Sequence, residues 1–176
     1  MNILLTYKTI TILSFLVFYS LSTQAQFENP FKQGEIFQLS DLETMNGAKY
    51  SIDSLDSKIL VMNFWNIGCK GCIQEMEFLN EVYDQFNSDS ISFWSVTMSP
   101  EESLEEYLKK HPIKWEIKGD VDFMGITGNP DLNIRCMPTT IVLNRAKEIL
   151  YSQCHAILEE KGGPEFIELL RQEESK

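Results

Sequence analysis

Seven consecutive residues, Ile59-Leu60-Val61-Met62-Asn63-Phe64-Trp65, are apolar apart from Asn63, and nothing charged follows until Lys70. A run of this kind, without polar alternation, marks a central strand buried on both faces, which the rest of the chain must cover. Cys69-Lys70-Gly71-Cys72 comes next. From there Ile73, Met76, Leu79, Val82, Tyr83 and Phe86 recur at three- and four-residue steps. That period predicts a helix running to about Phe86. Two thiols therefore stand at a strand-to-helix junction. There the first sulfur meets unpaired N–H groups and the positive end of the helix dipole, both of which favour thiolate. The second lies about one turn deeper, within reach to resolve a mixed disulfide. Zinc sites use the same spacing, so the pair is read in its context.

The N-terminus sets the compartment. Lys8 is the one charge before a nearly uncharged apolar run from Ile10 to Leu21, and small residues follow at Ser22-Thr23-Gln24-Ala25-Gln26. This order predicts a secretory signal over 1–25, cut between Ala25 and Gln26. The apolar core is short for a span of roughly 20 residues, which leaves an uncleaved anchor as the minority reading. Cleavage leaves about 150 residues, enough for one well-cored domain. The net charge of −11 becomes −12 with Lys8 gone, which argues against nucleic acid as a partner. A CxxC pair outside the cytosol meets thiols whose oxidation state is under control.

A Pro- and Gly-containing lead-in at 26–34 is expected to be flexible, and the domain to occupy 35–176. Strands are predicted at 35–42 and 49–52 around an Asn46-Gly47 turn, forming an N-terminal hairpin. Further strands are expected at 90–97 and 114–118. Ser99 as N-cap and Pro100 at the first helical position open a helix to about Lys110. The turn-rich stretch 119–133 carries helical segments near 121–126 and 130–133. Strands at 139–143 and 148–154 make a hairpin through Asn144-Arg145-Ala146-Lys147, and Pro164 opens a final amphipathic helix. The result is an α/β fold with mixed strand directions.

Cys136-Met137-Pro138-Thr139-Thr140 is the second signal. A proline before an apolar strand belongs at the strand's start, and its X–Pro bond adopts cis at modest cost. A cis bond there leaves the preceding backbone free to pair with an extended partner chain beside the thiols. With both segments, the chain resembles the thioredoxin superfamily and is similar to its exported TlpA/ResA-like thiol-disulfide oxidoreductases. The residues carrying this are Val61 to Trp65 before Cys69-x-x-Cys72, then Glu75, and Pro138 to Leu143, over about residues 35–171. The resemblance implies a thioredoxin-like three-layer sandwich, a mixed central sheet flanked by helices, with the hairpin as an extension. It implies Cys69 as nucleophile and Cys72 as resolving thiol. Trp65, Gly68, Met137 and a cis Pro138 would face the substrate. The implied partners are protein thiols or disulfides and a membrane-bound electron donor, with disulfide reduction as the direction and no cofactor or metal.

Departures from the pattern matter. Gly68 and Gly71 replace an aromatic and a proline common in relatives, and Glu77 stands where many carry a helix-kinking proline. Asn63 takes the place of the buried acid of thioredoxins, which makes Glu75 the candidate to take the Cys72 proton. The competing reading of Glu75 is a solvated acid opposing the helix dipole. With Leu143 and Glu148 flanking the hairpin turn, Cys136 falls close to the Cys154–His155 segment, and three states are open to the two cysteines: a structural disulfide, inert free thiols, or a second redox pair. His111 is read as a surface residue, and His155 as able to approach the thiols. Three other functions compete. Cys69, Cys72 and His155 could hold copper, since soft thiolates favour Cu(I), although copper-chaperone relatives place three residues between the cysteines. A peroxiredoxin-like peroxidase needs Thr and Pro ahead of a single peroxidatic Cys, which is absent around Cys69. A non-catalytic interaction domain is the last.

Overall fold

The computed structural model describes residues 29–44, 47–86, 88–126, 132 and 134–176. The expected signal peptide, the start of the lead-in, Asn46 of the predicted turn and all but residue 132 of the stretch 130–133 lie outside the described residues. Ile59–Trp65 forms strand β3, and every residue in it is buried. It is the middle of a five-stranded sheet ordered β5-β4-β3-β6-β7. Here β4 is Ile91–Thr97, β5 Glu116–Lys118, β6 Thr139–Asn144 and β7 Ile149–Cys154. Strands β3, β4 and β5 run parallel, while β6 and β7 are antiparallel to their neighbours, which makes the sheet mixed. Strands β1, Asp41–Glu43, and β2, Lys49–Ser51, form the N-terminal hairpin as a separate two-stranded sheet.

The helices are α1, Lys70–Phe86, α2, Glu101–Lys110, and α3, Gly163–Glu174. Successive residues of a strand point to opposite faces, so β3 divides its side chains between two layers. Ile59 and Val61 meet Phe78, Leu79, Val82 and Phe86 of α1 and Phe166 and Leu170 of α3. On the other face Leu60, Met62 and Phe64 pack against Phe37, Leu39, Leu42, Val121 and Phe123. Each large apolar side chain so buried contributes roughly 1.5–3 kcal/mol. The sheet is the rigid platform on which the thiol turn stands.

Three expectations are corrected. The first strand spans Asp41–Glu43 rather than 35–42, and Ile36 makes only an isolated bridge to Glu148. Phe37 and Leu39 are instead drawn down as cover for the sheet. Ser99 does not cap α2, whose N-cap is Pro100 without a side-chain cap bond. Its hydroxyl is engaged by Asn66 Oδ1 at 3.4 Å. Residues 121–126 are not helical. Val121 bridges Thr44, and Val121 and Phe123 are both fully buried against the sheet. Tertiary burial overrides the local helical pattern there. Within the lead-in, Asn29 Nδ2 donates to Ser152 Oγ at 2.5 Å and the Gly34 N–H to the Ile149 carbonyl at 2.8 Å.

Candidate active site

The carboxyl end of β3 turns into α1 through Asn66, Ile67, Gly68 and Cys69. Gly68 has φ +87°, a left-handed conformation that side chains with a β-carbon rarely adopt. A glycine suits this position for that reason. The Cys69 N–H donates to the Asn66 carbonyl at 3.2 Å, which closes the turn. Asn66 Oδ1 accepts from Thr97 Oγ1 at 3.0 Å, fastening the turn to the end of β4.

Cys69 and Cys72 are joined by a disulfide with Cα atoms 5.3 Å apart. Cys72 is fully buried, whereas Cys69 is partly exposed. The Cys72 N–H points at Cys69 Sγ, 3.2 Å away, so the helix's first turn offers a donor to that sulfur. A β-carbon on Gly71 would lie 3.5 Å from Pro138 Cδ, so the Pro138 loop faces the thiol turn directly. The Met137–Pro138 bond is cis, and Met137, like Cys69, packs against the buried cluster that holds Cys72 and Trp65. Trp65 differs from expectation. It is fully buried and stacks on Tyr107 of α2, ring centroids 5.3 Å apart, so it backs Cys72 and offers no surface to a substrate. Ile67, 39% exposed, is the apolar residue the turn does present.

Glu75 lies one turn beyond Cys72 on α1 and is fully buried, which rules out the solvated reading. Its carboxyl accepts from Asn63 Nδ2 at 2.6 Å, from the Ile157 N–H at 3.0 Å and from Thr140 Oγ1 at 3.2 Å. Burial pushes its pKa up to about 7, and those three donors only partly oppose the shift. A carboxyl poised near neutrality can both take and return a proton at physiological pH. Thr140 and the Ile157 amide were not singled out from sequence. They lie 65 and 82 residues from Glu75, and only the sheet register brings Thr140 opposite Asn63.

Cys136 and Cys154 form the second disulfide, Cα atoms 5.7 Å apart, which sets aside the reading of two inert free thiols. His155 sits beside this pair, its Nδ1 3.8 Å from Cys136 Sγ. Among the described residues the one group of three or more soft or acidic ligands is Cys136, Cys154 and His155. The copper set expected from Cys69, Cys72 and His155 is therefore not assembled. His111 caps the end of α2, its ring 4.8 Å from that of Tyr107.

A family model, the AhpC/TSA family, matches residues 26–152, well over half of the chain. The chain belongs to the AhpC/TSA family. Within this AhpC/TSA chain, the sequence is 27% identical over 143 residues to the thiol-disulfide oxidoreductase ResA of Halalkalibacterium halodurans, covering 81% of this chain and 77% of that one. It is 26% identical over 124 residues to the thioredoxin-like protein YneN of Bacillus subtilis, covering 69% and 71%. A solved thiol:disulfide interchange protein from a Bacteroides species superposes with a TM-score of 0.64 at 14% identity, covering 81% of this chain and 93% of that one. The likeness confirms the thioredoxin-like fold. No helix among the described residues is long and apolar enough to cross a membrane.

Proposed function

We propose that this protein is an exported thiol-disulfide oxidoreductase that reduces protein disulfides through Cys69 and Cys72. In the reduced state the Cys69 thiolate attacks one sulfur of a substrate disulfide, forming a mixed disulfide and releasing one substrate thiolate. Cys72 then attacks Cys69 Sγ, which frees the second substrate thiolate and leaves the Cys69–Cys72 disulfide. Glu75 takes the Cys72 proton in that step and returns one when the pair is reduced again. The observation carrying this reading is the asymmetry of the pair: a partly exposed Cys69 on a helix N-terminus, and a buried Cys72 one turn before a buried carboxyl.

The Pro138 loop supports a substrate position, since it faces Gly71 and carries Met137 to the cluster that holds Cys72. The resemblance to TlpA/ResA-like proteins supports the reductive direction and a membrane-bound electron donor, and the order of Lys8, the apolar run 10–21 and the small residues after it supports removal of residues 1–25 on export. The test is the reduction potential of the Cys69–Cys72 pair together with insulin-disulfide reduction by the purified protein. A reducing potential with turnover that requires Cys69 supports the reading. A strongly oxidising potential would reverse the direction, and turnover without Cys69 would remove the nucleophile.

A further inference from the structure

Outside the thiol turn, Cys136, Cys154 and His155 bring three potential ligand atoms within 4.8 Å of one another. The hairpin register produces this cluster. Thr139 of β6 pairs with Cys154 of β7, and Thr139 Oγ1 donates to the Cys136 carbonyl at 2.7 Å, folding Cys136 back over the strand end. The His155 N–H donates to the Pro138 carbonyl at 2.9 Å, and His155 adopts φ +84°. That left-handed backbone is uncommon for a residue with a β-carbon, and strain of this sort gathers where a side chain must be aimed. Here His155 Nδ1 lies 3.8 Å from Cys136 Sγ. Two ligands held by one ion at about 2.3 Å for sulfur and about 2.0 Å for nitrogen stand about 3.7 Å apart in trigonal coordination. The sulfur–imidazole separation already has that value. Both cysteines are partly exposed and His155 is exposed, so an ion has a path from solvent.

We propose that reduction of the Cys136–Cys154 disulfide opens a three-coordinate site for Cu(I), made of both sulfurs and His155 Nδ1. The S–S bond breaks by taking two electrons and two protons from a dithiol, which leaves as its own disulfide. The ion then displaces the thiol protons to solvent. Two thiolates and an imidazole match a soft ion, and three ligands complete a trigonal shell without a fourth. Zn(II) shares the taste for thiolate but takes four ligands, and no fourth His, Cys, Asp or Glu joins the cluster among the described residues. While the disulfide is intact the two sulfurs are committed to each other and the site is closed. Copper affinity is thereby tied to thiol redox state, independently of any turnover at Cys69.

The test uses the full chain carrying Cys69→Ser and Cys72→Ser, so that the other dithiol binds nothing. The protein is reduced with dithiothreitol, freed of it, and titrated anaerobically with Cu(I) against bicinchoninate. The reduced protein is expected to hold one equivalent and the oxidised protein none. Cys136→Ser abolishes that equivalent. His155→Asn, which retains a residue tolerant of the left-handed backbone, weakens binding at least about tenfold, since loss of even an outer-shell partner of a ligand costs that much. His155 is exposed, so this variant stays readable even where Cys136→Ser does not fold. Failure of the reduced protein to hold Cu(I), equal binding by the oxidised protein, or unchanged affinity in His155→Asn overturns the site. Retention of Zn(II) with no retention of Cu(I) overturns the choice of ion.

Discussion

The Cys69–Cys72 and Cys136–Cys154 bridges span similar Cα distances, 5.3 and 5.7 Å, yet their surroundings share little. Cys69–Cys72 sits on the first turn of α1, with a backbone donor aimed at Cys69 Sγ and the buried Glu75 one turn further on. Cys136–Cys154 ties two ends of an antiparallel hairpin, with an imidazole as its polar neighbour. A helix start favours thiolate and so lowers the barrier to exchange; a strand end supplies no such field. The bond itself therefore says little about its use. The groups within one turn of each sulfur decide between exchange, stapling and ligation.

The largest expected effect is on turnover. Cys69→Ser should lower insulin-disulfide reduction by at least about 10³-fold, as expected when a covalent nucleophile is removed. Cys72→Ser should instead accumulate a mixed disulfide at Cys69, detectable by mass spectrometry. Reduction that persists in Cys69→Ser would break the contrast between the two bridges.

Glu75 sharpens the contrast through pH. Its folded pKa of about 7 lies above the ordinary value of 4.5, so the neutral carboxyl is the favoured form in the folded protein. The associated stabilisation is complete below pH 4.5 and is lost as pH rises through 7. The loss amounts to about 3 kcal/mol at 1.36 kcal/mol per pH unit. Urea denaturation between pH 4 and 8 measures it, and Glu75→Gln should flatten the slope. An unchanged slope in that variant would assign the pH dependence elsewhere.

The bridges also differ in loop length, three residues of separation against eighteen. Chain-entropy reasoning assigns about 2 kcal/mol to the short one and about 3 kcal/mol to the long one. Urea midpoints of Cys69→Ser/Cys72→Ser and Cys136→Ser/Cys154→Ser proteins compare them, and a larger loss for the short loop would contradict the stapling role. The smallest effect concerns Gly71. It is helical, and a β-carbon there meets Pro138 only at van der Waals distance, 3.5 Å. Gly71→Ala should therefore raise stability by up to about 1 kcal/mol. A destabilisation would show that the thiol turn needs glycine's freedom at this position as well as at Gly68.

Much of the frame was legible in the sequence because it rests on local periodicity. The apolar run, Asn63 included, coincides with β3 residue for residue, and the three- and four-residue spacing ends α1 at Phe86 as expected. Burial on both faces and burial along one helix stripe leave patterns in neighbouring residues. The segment 121–126 misled because its apolar residues answer to a core built by β1 and the distant sheet. Ser99 misled for a related reason, since its hydroxyl was claimed by Asn66, 33 residues away.

The central strand, the thiol turn on a helix start, the hairpin that follows Pro138 and the family membership they imply are all legible in the residues alone. Each is written in residues adjacent in the chain, where period, turn chemistry and thiol spacing act locally. Only the tertiary structure decided that Glu75 is a buried, near-neutral carboxyl rather than a solvated acid. Its donors come from β3, β6 and the loop after β7, and a pKa follows from solvent exclusion that no local pattern records. Counting outward from the hairpin turn already brings the Cys154–His155 segment near Cys136, but only the fold put the His155 ring 3.8 Å from Cys136 Sγ rather than in a set with Cys69 and Cys72. Strand register sets which side chains meet, and register is a property of the assembled sheet.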